Sequence, residues 1–182
     1  MWKYLGITLG VTTLLTGFAS GVLGIQLSDG TNAFEKAPRL LDAITTYSSV
    51  RVPAAKYYFT IAVPENAGEP LGKIVIGQRY SPETIRFSPE KTVAFEGTYT
   101  NRGKSFTINE AQWDRQFETV TVTFDPPIEP GNTITLGLKP IQNPDYGGVY
   151  LFGVTVFPVG ENSAGLYLGV GRLHFYQNGD RQ

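Results

Sequence analysis

Between Thr119 and Phe124 the chain reads Thr-Val-Thr-Val-Thr-Phe, with Val120, Val122 and Phe124 on one side and Thr119, Thr121 and Thr123 on the other. A period of two residues is the signature of a strand with one dry face and one wet face. A second run, "NTITLGLK", repeats it with Ile134, Leu136 and Leu138 inward and Thr133, Thr135 and Lys139 outward. The two runs are joined by "DPPIEPG", whose prolines donate no ladder hydrogen bond and are therefore expected outside the sheet. So short a connection predicts that the two strands are antiparallel neighbours.

The same grammar extends along the chain. "YYFTIAV" (57–63), "GKIVIGQ" (72–78), "TVAFEGTYT" (92–100), "KSFTI" (104–108), "VYLFGVTVF" (149–157) and "LYLGVGRLHFY" (166–176) are rich in β-branched or aromatic residues and bounded by Gly, Pro, Asn or Ser. About eight such strands predict an all-β protein, an antiparallel immunoglobulin-like β-sandwich. Val120, Val122, Phe124, Ile134, Leu136, Leu138, Val154 and Val156 are expected in one core. "VYLFGVTVF", apolar on both faces, reads as a central strand covered on both sides. "APRLLDAITTY" fits either a helical face or a strand, and its Ile44-Thr45-Thr46 favours a strand opening the sandwich. Single helical turns are expected at "SPET", with Ser81 as N-cap and Pro82 at N1, and at "NEAQW", with Asn109 as N-cap.

Residues 1–24 differ from the rest. Lys3 precedes a charge-free run from Tyr4 to Leu23 that ends in small residues, the order of a cleavable signal peptide. An uncleaved N-terminal membrane anchor is the competing reading, since the run is just long enough to span a bilayer; the Thr, Ser and Gly within it favour the signal. Residues 25–182 then form a single domain outside the cytoplasm, in the periplasm, thylakoid lumen, outer membrane or at the cell surface. Membrane contact is expected only through the N-terminal segment if it is retained. With no cysteine the chain has no lipid attachment site, disulfide or thiolate chemistry.

Charge excludes another class. Lys and Arg number 15 against 16 Asp and Glu, with no long charged block, so nucleic acid is not an expected partner. His174 is the only histidine and falls with Arg172 on the side of its strand opposite Leu173 and Phe175. A histidine metal site and a Ser-His-Asp centre both need more. No G-x-S-x-G is present, and "LGVGRLH" lacks the third glycine of a dinucleotide loop and opens a strand. No catalytic residue, metal ligand set or cofactor is assigned, and the protein is expected not to be an enzyme.

Binding residues are sought elsewhere. In "NPDYGG", Asn143-Pro144 starts a turn, Asp145 is suited to cap backbone two residues on, and Gly147-Gly148 supply positive φ. The functional alternative makes Asn143 and Asp145 oxygen ligands of a cation and Tyr146 and Tyr150 stacking surfaces; one carboxylate is few for calcium, so the scaffold reading is favoured. Trp113, between polar neighbours, is a candidate exposed aromatic, a type that anchors protein interfaces and sugar rings.

"LSDG", "YYFTIAVPENAGEPLGKIVIGQ", "FDPPIEPGNTITLGLKPIQNPDYGGVYLFGVTVFP" and "LGVGRLHFY", in this order, resemble a family of exported cyanobacterial proteins known only as a domain of unknown function. The part from Phe124 to Pro158 is the most specific. The resemblance implies a cyanobacterial, extracytoplasmic protein without a known activity, and it brings no site residues. The expected function is that of a structural or interaction protein docking to a protein partner in an envelope or lumenal assembly; the alternative is a carbohydrate-binding module for envelope polysaccharide.

Overall fold

The computed structural model describes residues 25–26, 30–79, 81 and 83–177. The expected signal or anchor segment, residues 1–24, lies outside them, as does Pro82 of the expected turn at "SPET". Twelve strands are formed: β1 (Ile25–Gln26), β2 (Asn32–Ala33), β3 (Arg39–Thr45), β4 (Tyr57–Ala62), β5 (Leu71–Gln78), β6 (Val93–Gly97), β7 (Arg102–Ser105), β8 (Ile108–Asp114), β9 (Thr119–Ile128), β10 (Thr133–Leu138), β11 (Gly148–Pro158) and β12 (Leu166–Phe175). Among the described residues the only helical element is a single 3-10 turn at Pro89–Lys91.

β1 and β2 make a small ribbon, and the other ten strands form two five-stranded sheets ordered β3-β4-β10-β6-β7 and β12-β11-β5-β9-β8. Every pairing within them is antiparallel. This is the antiparallel, immunoglobulin-like sandwich expected from the strand pattern. All eight residues expected in the core are there, packed with Tyr57, Phe59, Phe87, Phe152 and Phe175. The last five form edge-to-face and tilted ring contacts 5.6–6.2 Å apart.

Three expectations are corrected. β9 and β10 are not neighbours: β9 pairs with β5 and β8, β10 with β4 and β6, in opposite sheets. The connection is an arch across the sandwich. Its tip turns on Gly131, at φ 87°, whose N–H donates to Val63 O. Alternation told which faces were dry and carried no information on which dry face met which. Two of the three prolines also do not lie outside the sheet, since β9 runs through Pro126 and Pro127 to Ile128, which pairs with Leu71 across a bulge, whereas Pro130 lies in the turn beyond it. Finally, "NEAQW" is not a helical turn but most of β8, whose Ile108, Ala111 and Trp113 pack on the core while Glu110, Gln112 and Asp114 face water. β8 is an edge strand, and the acidic face that protects an edge resembles the polar start of a helix.

β11 is central within its sheet, as expected, but its two faces differ. Tyr150, Phe152, Val154 and Val156 are buried, while Val149 is half exposed. On one flank the edge strands of the two sheets close on each other: a Cβ added at Gly171 of β12 would lie 2.7 Å from Ala43 Cβ of β3 and 2.9 Å from the Phe59 ring. Only glycine permits this approach.

Candidate functional site

The segment "NPDYGG" and three distant stretches meet at one end of the sandwich. Asn143 is completely buried. Its Oδ1 accepts the Tyr57 hydroxyl at 2.9 Å, and its Nδ2 donates to Tyr47 O at 2.8 Å and Ser49 O at 2.7 Å. The side chain thus ties the loop after β3 to the loop after β10. Asp145 Oδ1 accepts from Arg51 Nε at 3.1 Å and from Gln142 Nε2 at 3.3 Å.

The capping carboxylate belongs to Glu83, not to Asp145. Glu83 accepts the backbone N–H groups of Asp145 and Tyr146, both at 3.0 Å, and the Tyr150 hydroxyl donates to its Oε1 at 2.8 Å, with Tyr146 O as a second acceptor at 3.1 Å. Its loop is in turn organised by Gln78, which donates to Glu83 O and accepts from Ile85 N–H. No sequence signal marks Glu83, because its partners are more than 60 residues away. Burial raises the Tyr150 phenol pKa first, followed by the hydrogen bond to Glu83 and its charge. Tyr57 is raised by burial, then by Tyr150 and Glu83. Both hydroxyls are held protonated, as donors.

Asn143, Asp145, Tyr146 and Tyr150 are therefore brought together, and Trp113 stands apart. Tyr150 is buried while Tyr146 is 58% exposed. Trp113 turns its ring inward against Phe87, 5.5 Å between centroids. Of the glycine pair, Gly148 has positive φ, whereas a Cβ at Gly147 would approach Phe175 O to 3.2 Å. Among the described residues no three His, Cys, Asp or Glu side chains are grouped to hold a metal ion. Asn143 Oδ1 and the Glu83 carboxylate are occupied by donors that hold the loops, so the junction acts chemically as an anchor.

Apolar side chains that none of the described residues covers lie along the β3–β12 flank. One groove of about 300 Å³ is lined by Leu40, Leu41, Ala43, Val170 and Arg172. A second, of about 370 Å³, is lined by Ala43, Thr45, Ser48, Arg172, His174 and Tyr176. They share Ala43 and Arg172 and so run on from one another. Leu41, Tyr47, Val149, Val170 and Tyr176 are each between 39% and 50% exposed. Sequence reading missed this flank because it arises only where two edge strands 130 residues apart are brought face to face. The bulge between Leu40 and Asp42 that turns Leu41 outward has no sequence mark.

Fold and site together define a two-sheet antiparallel sandwich with an open apolar flank and a rigid loop junction. The chain belongs to the family described as "Protein of unknown function (DUF2808)", whose model matches residues 31–175. No curated protein matches it in sequence. It is similar in structure to the collagen-binding subdomain of the Enterococcus faecalis surface protein ACE, at 6% identity and a TM-score of 0.45, covering 76% of this chain and 98% of that one. It is also similar to the full-length major pilin SpaD from Corynebacterium diphtheriae, at 10% identity and a TM-score of 0.44, covering 78% of this chain and 33% of the pilin. A collagen-binding domain from a Staphylococcus aureus adhesin aligns at 10% identity and a TM-score of 0.38, over 75% of this chain and 97% of that domain.

Proposed function

We propose that this domain is a non-enzymatic interaction module of an extracytoplasmic assembly, docking a protein partner along the β3–β12 flank. The observation that carries the reading is the run of half-exposed Leu41, Val170, Tyr47 and Tyr176 beside two continuous grooves. Exposed aromatic and aliphatic side chains gathered on one strip mark protein interfaces, since burying them yields about 25 cal/mol per Å². The charge-free run at residues 4–23 and the resemblance to exported cyanobacterial proteins support the placement outside the cytoplasm.

The test is a photo-crosslinking amino acid placed at Val170 or, as control, at Thr121 on the outer face of β9. In native membranes, Val170 should yield one defined adduct and Thr121 none. Leu41→Glu with Val170→Glu should abolish the adduct at an unchanged Tm. Equal labelling from both positions would overturn the reading.

A further inference from the structure

A different surface, the outer face of one sheet, has a trough of its own. On the outer face of the β12-β11-β5-β9-β8 sheet, Gly77 of β5 pairs with Gly153 of β11 and with Thr119 of β9. Two glycines side by side leave a trough of about 170 Å³ lined by Val75, Arg79, Phe117, Thr119 and Thr155. The Arg79 side chain lies over Gly153, where a Cβ would stand 2.7 Å from its Nε. The Arg79 guanidinium carbon lies over the Tyr167 ring, 5.0 Å from its centroid. The opposite wall is Phe117, 68% exposed.

Among the described residues no carboxylate pairs with Arg79. Among the described residues the ion pairs are Arg51 with Asp145 and Lys104 with Glu96, and neither involves this face. Toward one end of the face Lys73 sits over the Phe157 ring at 4.0 Å, and toward the other Arg172 pairs with Leu151. From Phe157 to Leu151 the positive track runs about 20 Å along the strands. On the edge strand β8, Glu110 pairs with Thr123, while Asp114 pairs with Thr119 and its carboxylate accepts the Phe117 N–H at 3.1 Å, fixing the turn that presents the Phe117 ring.

We propose that this trough binds an acidic polysaccharide, taking one uronate-type pyranose between Phe117 and Arg79. The exposed ring stacks on the apolar face of the sugar, the guanidinium forks onto its carboxylate, and the hydroxyls of Thr119 and Thr155 reach the ring hydroxyls. Lys73 and Arg172 continue the contact along the polymer. Gly77, beside the arginine-covered Gly153, is the floor on which the ring approaches the sheet. This goes beyond protein docking: it uses the outer face of the sheet around Gly77 and Gly153 and, of the residues that line the flank grooves, only Arg172.

The experiment is affinity electrophoresis and calorimetry of the domain with polygalacturonate, with its methyl-esterified form, which keeps the sugar ring and loses the charge, and with dextran sulfate. The expected result is binding of polygalacturonate that falls at least tenfold on esterification. It should also fall at least tenfold in Arg79→Gln and in Phe117→Ala, while Tyr176→Ser leaves it unchanged. Phe117 is exposed enough that its removal leaves the fold intact, so it reports on the site even if Arg79→Gln lowers Tm. No binding of polygalacturonate by the wild type, or binding that tracks dextran sulfate and ignores Phe117→Ala, would overturn the proposal.

Discussion

Replacing Glu83 with alanine should destabilise the domain far more than replacing Asp145, although Asp145 sits inside the conspicuous turn. Glu83 accepts three hydrogen bonds, two from consecutive backbone N–H groups and one from the buried Tyr150 hydroxyl. Hydrogen bonds to a charged group contribute about 1.5–3 kcal/mol each. Water reaches this half-exposed carboxylate and will satisfy part of what is lost, and Tyr150 keeps Tyr146 O as an acceptor. The expected net loss is about 3 kcal/mol, or a Tm lowered by about 6–12 °C for a chain of this length. The Asp145 ion pair, by contrast, joins side chains 47% and 63% exposed, so Asp145→Ala should cost at most about 1 kcal/mol. Calorimetric melting of both variants and of Glu83→Gln, expected between them, provides the assay. A double-mutant cycle with Tyr150→Phe should show coupling, because the two groups touch. A Glu83→Ala melt within a degree of wild type, or an Asp145→Ala melt below it, would refute the assignment of the cap.

Three other outcomes are expected. Val122→Asp, at a position with no exposure, places an unpaired carboxylate in the core at several kcal/mol against a total of about 5–15, so it should be recovered unfolded or insoluble; a soluble variant with unchanged circular dichroism would contradict the face assignment. Gly171→Ala should lower Tm by forcing β12 away from Ala43 and Phe59, while Gly169→Ala meets no neighbouring atom but is strained by its φ of 121°; a Gly171→Ala melt equal to wild type would show that the flank is loosely packed. Tyr57 and Tyr150, with pKa values raised in the folded state, keep protons that the unfolded chain releases near pH 10. Their contribution is therefore complete below pH 10 and declines above it, by up to about 1.4 kcal/mol per pH unit for each. Urea midpoints between pH 9 and 11.5 should fall in the wild type and less steeply in the double Phe variant.

What the sequence made legible was local. Period-two runs named the strands and their dry faces, so Val122, Leu136 and Val156 fell in the core as expected. Pairing was not legible, because Ile134 and Val122 present the same chemistry to a core whichever sheet they belong to. The junction was half legible: Asn143 and Asp145 were singled out by turn chemistry, yet Glu83 was invisible because its role depends on where a loop 62 residues earlier is carried. Trp113 is partly exposed, as its polar neighbours suggested, and what they did not show is that its ring leans on Phe87.

The four sheet edges are the reason the proposed docking runs through side chains rather than through strand addition. β7 reads Arg-Gly-Lys-Ser and is exposed throughout, and Arg102 stacks on Tyr58, Phe95 and Tyr99. β8 carries Glu110 and Asp114. Charge blunts both edges. β12 is shifted in register between Val154 and Thr155 of its neighbour, which breaks the regular row of groups a new strand needs. β3 is the subtlest case. Thr46 N–H turns toward Lys56 O, so the alternate Ala43 N–H turns to the open side, and there it donates to the Asp42 carboxylate at 2.9 Å. The edge is capped by its own preceding residue. At this flank one open-side N–H in the middle of β3 is already taken while the apolar side chains are half exposed, which favours recognition by shape and hydrophobic contact over extension of the sheet.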